Sequence, residues 1–375
     1  MKDTPEVKGW CPGAIKPMMS GDGLVVRVRP FCGHLAPEQA DGLATLAATY
    51  GNGLLDLTSR GNIQMRGINE AHHRDVLDAV ARLMLLDQSA LAEWRRNVLV
   101  TPFWQTGDGT ETLARAITDA LADEAVPVQS PKFGFAVDTG RAPVLQTASA
   151  DIRLERDGDG GLLLVADGAD LGKPIAPDCA AREAMNLAQW FLDTRTDERR
   201  MAAITATGRL PPGHTIARQT QTYVPAPGIT PNGAMVGLAF GQLQPETLAM
   251  LAKSGGLRMT PWRMLLVEHP RALPGIEGLI TDPTDPLLRV IACTGAPRCV
   301  QGHVQTRPLA RTLAPHLPAG QTLHVSGCAK GCAHPKSAAL TITGSAQGLN
   351  LIRGGRAADP PTQTALSLPD IIKAI

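Results

Sequence analysis

Aromatic residues are scarce in this chain: Trp, Phe and Tyr together make up 3% of its 375 positions. A core with so few large rings must be built mainly from Leu, Val, Ile and Ala. Neither sign of charge is in excess, with 36 Lys+Arg against 35 Asp+Glu and a net charge of +1. That balance excludes a strongly basic nucleic-acid binder, so no nucleic-acid partner is expected, while a local basic pocket stays open. No segment approaches the roughly 18 apolar residues of a membrane span. The start, Met1-Lys-Asp-Thr-Pro-Glu6, has no apolar leader core. The expectation is a cytoplasmic protein with reduced thiols and no membrane partner. Gly (38) and Pro (30) are abundant, which implies many turns, and the length suits two or three domains.

Four of the seven cysteines fall within 40 residues. They read Cys293-Thr-Gly-Ala-Pro-Arg-Cys299, a spacer of 28 residues, then Cys328-Ala-Lys-Gly-Cys332. Gly, Ala or Pro stands close to each. Small residues let backbone close around a bulky inorganic ligand and aim amides at its sulfurs. Four thiolates from two short loops are what a [4Fe-4S] cluster requires. Three other uses remain. Two disulfides sit poorly with an odd cysteine count and no secretory leader. Structural zinc favours Cys-x2-Cys knuckles, and neither pair has that spacing. Unligated buried thiols do not usually gather as two loop-borne pairs. Cys11, beside Pro12, is either an extra metal ligand or a packed thiol.

Along the chain, Leu24-Val-Val-Arg-Val-Arg29 alternates as a strand, with Leu24, Val26 and Val28 on one face and Val25, Arg27 and Arg29 on the other. A helix is predicted from Pro37 to about Ala48, then a turn at Gly51–Gly53, a strand over Leu54–Thr58 and a helix from about Glu70 to Leu86. The pattern then recurs. Gly33-x-Leu-x-Pro-Glu38 matches Gly241-x-Leu-x-Pro-Glu246 at an offset of 208, and Thr58-Ser-Arg60 corresponds to Thr260-Pro-Trp-Arg263 with one extra residue. Arg289-Val-Ile-Ala-Cys293 answers Arg96-Asn-Val-Leu-Val100. Asp157-Gly-Asp159-Gly is a hairpin turn rather than a calcium loop, because Gly168 occupies the position where such a loop needs Glu. His72 and His73 point apart on a helix, which favours solvated or capping roles over metal binding.

Arg27, Arg29, Arg60, Arg66, Arg96 and Lys132 all lie on strands or strand ends of the first half. Arginine grips carboxylates with two parallel hydrogen bonds, so several such residues in one cleft suit a ligand bearing many carboxylates.

The cysteine pattern, the duplicated units and the Thr58-Ser-Arg-Gly-Asn-Ile-Gln-Met-Arg-Gly67 stretch together resemble the sirohaem-dependent nitrite and sulfite reductases, over essentially the whole chain. The resemblance implies an α+β fold of two pseudo-twofold halves, each with a ferredoxin-like unit and an α/β iron–sulfur/haem-type domain. The expected division is 1–88 (arm and first ferredoxin-like unit), 89–204 (first α/β domain, without a cluster), 205–284 (linker and second ferredoxin-like unit) and 285–375 (second α/β domain, with the cysteines). It further implies that Cys293, Cys299, Cys328 and Cys332 bind a [4Fe-4S] cluster, and that Arg60, Arg96 and Lys132 line the anion site. Two departures stand out. Where the reductases carry Lys-x-Lys this chain has Lys132-Phe-Gly134, and their Cys-x-Asn-x-Cys loop is Cys328-Ala-Lys330-Gly-Cys332. Cys11-Pro-Gly13, Ser20-Gly-Asp-Gly-Leu24 and the wording of Ala292–Cys299 are similar to the precorrin-3B synthase branch. That branch implies an oxygen-dependent monooxygenase of aerobic cobalamin biosynthesis, hydroxylating precorrin-3A at C20 with closure of a γ-lactone. Its electrons would come from NADH, or through a reductase or ferredoxin. It also implies an additional non-haem iron, for which no ligand set stands out, and no residue is assigned to oxygen activation. The alternative is a sirohaem-dependent sulfite or nitrite reductase, with sirohaem as cofactor.

Overall fold

The computed structural model describes residues 10–123, 130, 132–270 and 272–375. Pro131, within the stretch that carries Lys132, lies outside the described residues, as does the start before Trp10. The first unit comprises β1 (Met18–Ser20), β2 (Gly23–Val28), β3 (His34–Leu35), α1 (Pro37–Tyr50), β4 (Leu55–Leu57), β5 (Ile63–Ile68) and α2 (His73–Arg82). Leu24, Val26 and Val28 enter the core with Ile63, Met65 and Ile68, while Arg27 and Arg29 project from the opposite face, as the alternation requires. Proline opens α1, where its missing N–H costs nothing, and the Gln39 side chain accepts from the Ala36 amide at 3.0 Å. The second helix is shorter than predicted. Residues 70–72 form a 3₁₀ turn whose Ala71 amide is capped by Asn69, and the left-handed Met84 follows the far end.

The next segment holds α3 (Ala90–Arg95), β6 (Val98–Val100), α4 (Thr110–Ala122), β7 (Phe135–Asp138), β8 (Ile152–Arg156), β9 (Leu162–Ala166), β10 (Leu171–Pro174), α5 (Ala180–Thr194), α6 (Met201–Thr205) and β11 (Ile216–Ala217). Strands β6, β7 and β8 run parallel and β9, β10 and β11 continue antiparallel, with the expected hairpin turn at Asp157–Gly160. Then come β12 (Gly228–Thr230), β13 (Gly233–Leu238), β14 (Gln242–Leu243), α7 (Pro245–Ala252), β15 (Leu257–Met259), β16 (Met264–Glu268) and β17 (Leu279–Ile280). The last segment has β18 (Val290–Ala292), α8 (Thr306–Leu313), β19 (Leu323–Ser326), β20 (Ala338–Ser345), β21 (Gly348–Gly355), β22 (Gln363–Leu366) and α9 (Leu368–Ala374). Again three parallel strands, β18, β19 and β20, precede two antiparallel ones.

The duplication is plain in three dimensions. One ferredoxin-like sheet has the order β1-β2-β5-β4-β14 and the other β12-β13-β16-β15-β3. Each half therefore donates its two-residue strand to the sheet of the other, β3 to β15 and β14 to β4, and helices α1 and α7 pack together between them. Both copies of the Gly-x-Leu-x-Pro-Glu motif follow a 3₁₀ turn whose middle residue is left-handed, Cys32 at φ 52° and Phe240 at φ 61°.

Two alignments between the halves shift from those expected. Leu57 pairs with Ile63 and Met259 with Leu265, so the two loops are equally long and Arg60 is matched by Trp262, with left-handed Gly61 matched by left-handed Arg263. The strand β18 aligns with β6 one residue further on, so that Cys293 is matched by Thr101. Among the described residues no helix is long and apolar enough to cross a membrane.

Candidate functional site

The four cysteines are free thiols gathered where β18 and β19 end. The Cys293–Cys299 loop leaves β18, and the Cys328–Cys332 loop leaves the neighbouring parallel strand β19. The Gly327 amide donates to Cys293 Sγ at 3.2 Å. Burial first, and then the negative charge of Cys293 and Cys299, pushes the Cys328 thiol up; Cys332 is raised in the same way. All four sulfurs thus feel one another. Glycines let the loops close backbone to backbone: a Cβ on Gly327 would lie 3.1 Å from Gly302 Cα and 3.2 Å from Gly295 Cα, and one on Gly302 would lie 2.7 Å from the Ala296 nitrogen. This donor set fits an iron–sulfur cluster, whose positive irons would favour the thiolate form that burial and neighbouring sulfurs disfavour at Cys328 and Cys332. Among the described residues no group of three or more His, Cys, Asp and Glu could hold a single metal ion. His72 and His73 are engaged away from any metal, as expected of solvated or capping roles: His72 contacts Asp75 and His73 Nε2 meets the Ala14 carbonyl.

The basic residues divide. Arg27, Arg29 and Arg60 gather around Cys11. Arg27 donates to Gln64 Oε1 from Nε and Nη2 at 2.8 and 2.6 Å. Burial, together with repulsion from Arg29 and Arg60, lowers its pKa to about 10. Burial likewise lowers Arg29 and Arg60, and Cys11 acts on both from the opposite direction. Arg29 Nη1 and Arg60 Nε are buried without a hydrogen-bond partner. Orphaned guanidinium donors on two residues that both neighbour Arg27 and Cys11 fit an anionic ligand.

The other three are engaged differently. Arg66 is engaged with carboxylates of its own sheet, reaching Asp22 at 2.9 and 3.1 Å and Asp56 at 3.5 Å. Arg96 grips Asp87 through two hydrogen bonds at 2.6 and 2.8 Å, donates to the Arg29 carbonyl and lies over the Phe31 ring. Lys132 is exposed in the turn before β7. Arg27, Arg29 and Arg60 thus share Cys11 as a neighbour and Arg96 adjoins them at the Arg29 carbonyl, whereas Arg66 is held by Asp22 and Asp56.

Several residues escaped the sequence. Glu93, buried in α3, accepts the Ala14 amide at 2.5 Å and the Ile15 amide at 3.1 Å and lies 3.7 Å from Arg29, fixing the arm that carries Cys11. No spacing links residue 93 to residue 14. His324, on β19, is fully buried with neither ring nitrogen hydrogen-bonded, against His334 and beside Gly331 of the second cysteine loop. A surface recess of about 550 Å³ around the Asp157–Gly160 turn is lined by none of the cysteines or arginines of the site.

Residues 16–83 match the nitrite/sulfite reductase ferredoxin-like half domain. Over 399 aligned residues the chain is 29% identical to a precorrin-3B synthase from a Sinorhizobium species, covering 95% of this chain and 84% of that protein. These likenesses point to the nitrite and sulfite reductase family, whose half domain is matched by residues 16–83. A second relative in this family is the hemoprotein beta-component of NADPH sulfite reductase from Acidithiobacillus ferrooxidans, 39% identical over 78 residues, which are 21% of this chain and 14% of that one. The fold of the family is seen in the NirA protein of Mycobacterium tuberculosis, which superposes with a TM-score of 0.59 over 89% of this chain and 74% of its own, at 17% identity.

Proposed function

We propose that the chain is an oxygen-dependent enzyme of cobalamin biosynthesis that converts precorrin-3A to precorrin-3B by hydroxylation at C20 and γ-lactone closure. The observation that carries this reading is the similarity to a precorrin-3B synthase along 95% of the chain. In the balanced reaction one atom of O2 enters the product, and the other leaves as water, taking two electrons and one proton from NADH, directly or through a reductase or ferredoxin, and a second proton from solution. Cys293, Cys299, Cys328 and Cys332 would hold a [4Fe-4S] cluster, which when bound supplies single-electron transfer. Arg27, Arg29 and Arg60 would take peripheral carboxylates of the tetrapyrrole, with Lys132 at the rim. Arg96 would serve from behind, through its hydrogen bond to the Arg29 carbonyl. Arg66, in turn, would serve the site from within its own sheet.

The geometry at Gly134 favours this reading over a sirohaem-dependent sulfite or nitrite reductase. A side chain there would start 2.6 Å from Asn97 Nδ2, and the Gly134 amide already donates to Asp151 at 3.0 Å. The second lysine that those reductases carry is thus absent and also sterically disfavoured, which weakens stabilisation of a small oxyanion while leaving the grip on carboxylates intact. The test is turnover of precorrin-3A under ¹⁸O₂ with a reductant, read by product mass. One labelled oxygen is expected. An unlabelled product, from a protein that shows sirohaem bands and reduces sulfite or nitrite, would overturn the assignment in favour of the reductase.

A further inference from the structure

We propose that Arg66 is a positioning residue for the iron–sulfur loop, clamping both ends of the Cys293–Cys299 loop to the first ferredoxin-like sheet. The inference rests on reading the four cysteines as cluster ligands. Arg66 lies on β5 and is 5% exposed. On one side it holds Asp22 with two hydrogen bonds and reaches Ser20 Oγ at 3.2 Å. Asn52 Nδ2 adds a third donor to Asp22 at 2.9 Å. These contacts fix the β1–β2 turn, which delivers Ser20 Oγ at 3.0 Å and the Gly21 amide at 3.1 Å to one acceptor, the carbonyl of Arg298. Arg298 immediately precedes Cys299. The approach is close enough that a Cβ on Gly21 would lie 2.9 Å from that oxygen.

On the other side Arg66 pairs with Asp56, which also accepts from Arg307 Nη2 at 2.7 Å. Arg307 follows Thr306, whose hydroxyl donates to the Cys293 carbonyl at 2.6 Å. The buried Arg66, the half-buried Arg307 and two carboxylates thus form a neutral unit that meets the loop at its first and last cysteine. Charge-assisted hydrogen bonds of this kind are strong and directional, so they transmit position.

The second ferredoxin-like sheet supplies an independent observation. By the strand registers Asp56 is matched by Arg258 and Arg66 by Glu268, so the same two positions carry a pair with its charges exchanged. Arg258 Nε donates to Glu268 at 2.6 Å, and its Nη1 donates to the carbonyls of Pro102, at 3.0 Å, and Trp104. These residues follow Thr101, the counterpart of Cys293. Both halves therefore tether the equivalent loop from the equivalent strand pair, and only in the first sheet does that tether hold cysteines.

The test compares the full chain, anaerobically reconstituted with iron and sulfide, with Arg66→Gln, Arg66→Lys and Ser20→Ala. The readouts are the electron paramagnetic resonance spectrum of the reduced cluster and the rate of iron release to a chelator. Arg66→Gln is expected to change the spectrum and release iron about five- to tenfold faster, the scale of one or two lost hydrogen bonds, with Arg66→Lys partly restoring both. Ser20→Ala leaves every buried charge in place and should release iron roughly two- to threefold faster. If Arg66→Gln does not fold, Ser20→Ala decides alone. Unchanged spectra and release rates in the folded variants overturn the clamp, as does a lowered melting temperature with no change in the cluster readouts. A wild-type chain that takes up no iron and sulfide would instead overturn the cluster reading, and the clamp with it.

Discussion

Replacing Gly302 with Ala tests whether the cysteine loops are sealed backbone to backbone. The added methyl would meet the Ala296 nitrogen at 2.7 Å and the Gly295 carbonyl carbon at 2.9 Å. Neither neighbour is a flexible side-chain tip. Both belong to the Cys293–Cys299 loop, and Gly302 is itself bonded to it through its amide and the Cys299 carbonyl at 2.9 Å. Overpacking of this kind costs about 1–3 kcal/mol, which lowers the population of the closed loop by about five- to 150-fold. Gly158→Ala is the matched control, since it sits in the β8–β9 turn with nothing within 4 Å of the new methyl. The assay is iron and acid-labile sulfide per chain after anaerobic reconstitution. Gly302→Ala should fall below roughly half of the wild-type content while Gly158→Ala matches it. Full cluster content in Gly302→Ala, with a wild-type absorption spectrum, would refute the idea that glycine at this contact is what lets the cradle close.

Three further outcomes are expected. Arg60→Ala should weaken binding of a polycarboxylate tetrapyrrole by about 1.5–3 kcal/mol in a fluorescence titration, and unchanged affinity would remove Arg60 from the ligand site. Glu93→Gln leaves Arg29 buried without its nearby carboxylate and should cost about 3 kcal/mol in urea unfolding while speeding proteolysis within the Cys11 arm, whereas an arm of wild-type resistance would deny Glu93 its tethering role. Burial raises the Asp138 carboxyl to about 6, against an ordinary 3.8, in spite of the amides of Val144 and Leu145 that it accepts. Because the folded value is the higher, its stabilising contribution is complete below the unfolded value and is lost as pH rises through about 6, a change on the order of 3 kcal/mol. Asp138→Asn should flatten that slope in unfolding measured from pH 4 to 7, and an unaltered slope would assign it to other groups.

What could be read from the chain was what neighbours in sequence determine. The alternation around Arg27 and Arg29 placed both on the face away from the core because a strand has a period of two. The cysteine spacing and the repeated Gly-x-Leu-x-Pro-Glu motif were legible for the same local reason. Arg66 was not, because its task depends on Asp22, which is 44 residues away, and on Asp56, whose other partner Arg307 lies 251 residues off. A buried acid that engages an arginine looks, in sequence, like any other acid. Residue identity pairs Arg60 with Arg263, but strand register decides which positions are equivalent. The ladder matches Arg60 to Trp262, so the basic character of the first sheet was never duplicated.

The reciprocal exchange of β3 and β14 has a consequence for how such a chain can be cut. Neither ferredoxin-like sheet is complete with only its own strands, so a half expressed alone would present the exposed edge of β4 or β15 and seek a second copy. The same geometry in two unlinked copies would be a swapped dimer held together at the mercy of dilution. Fusing the copies into one chain makes that association intramolecular and independent of concentration, which leaves one half free to hold the four clustered cysteines while the other carries the arginine group.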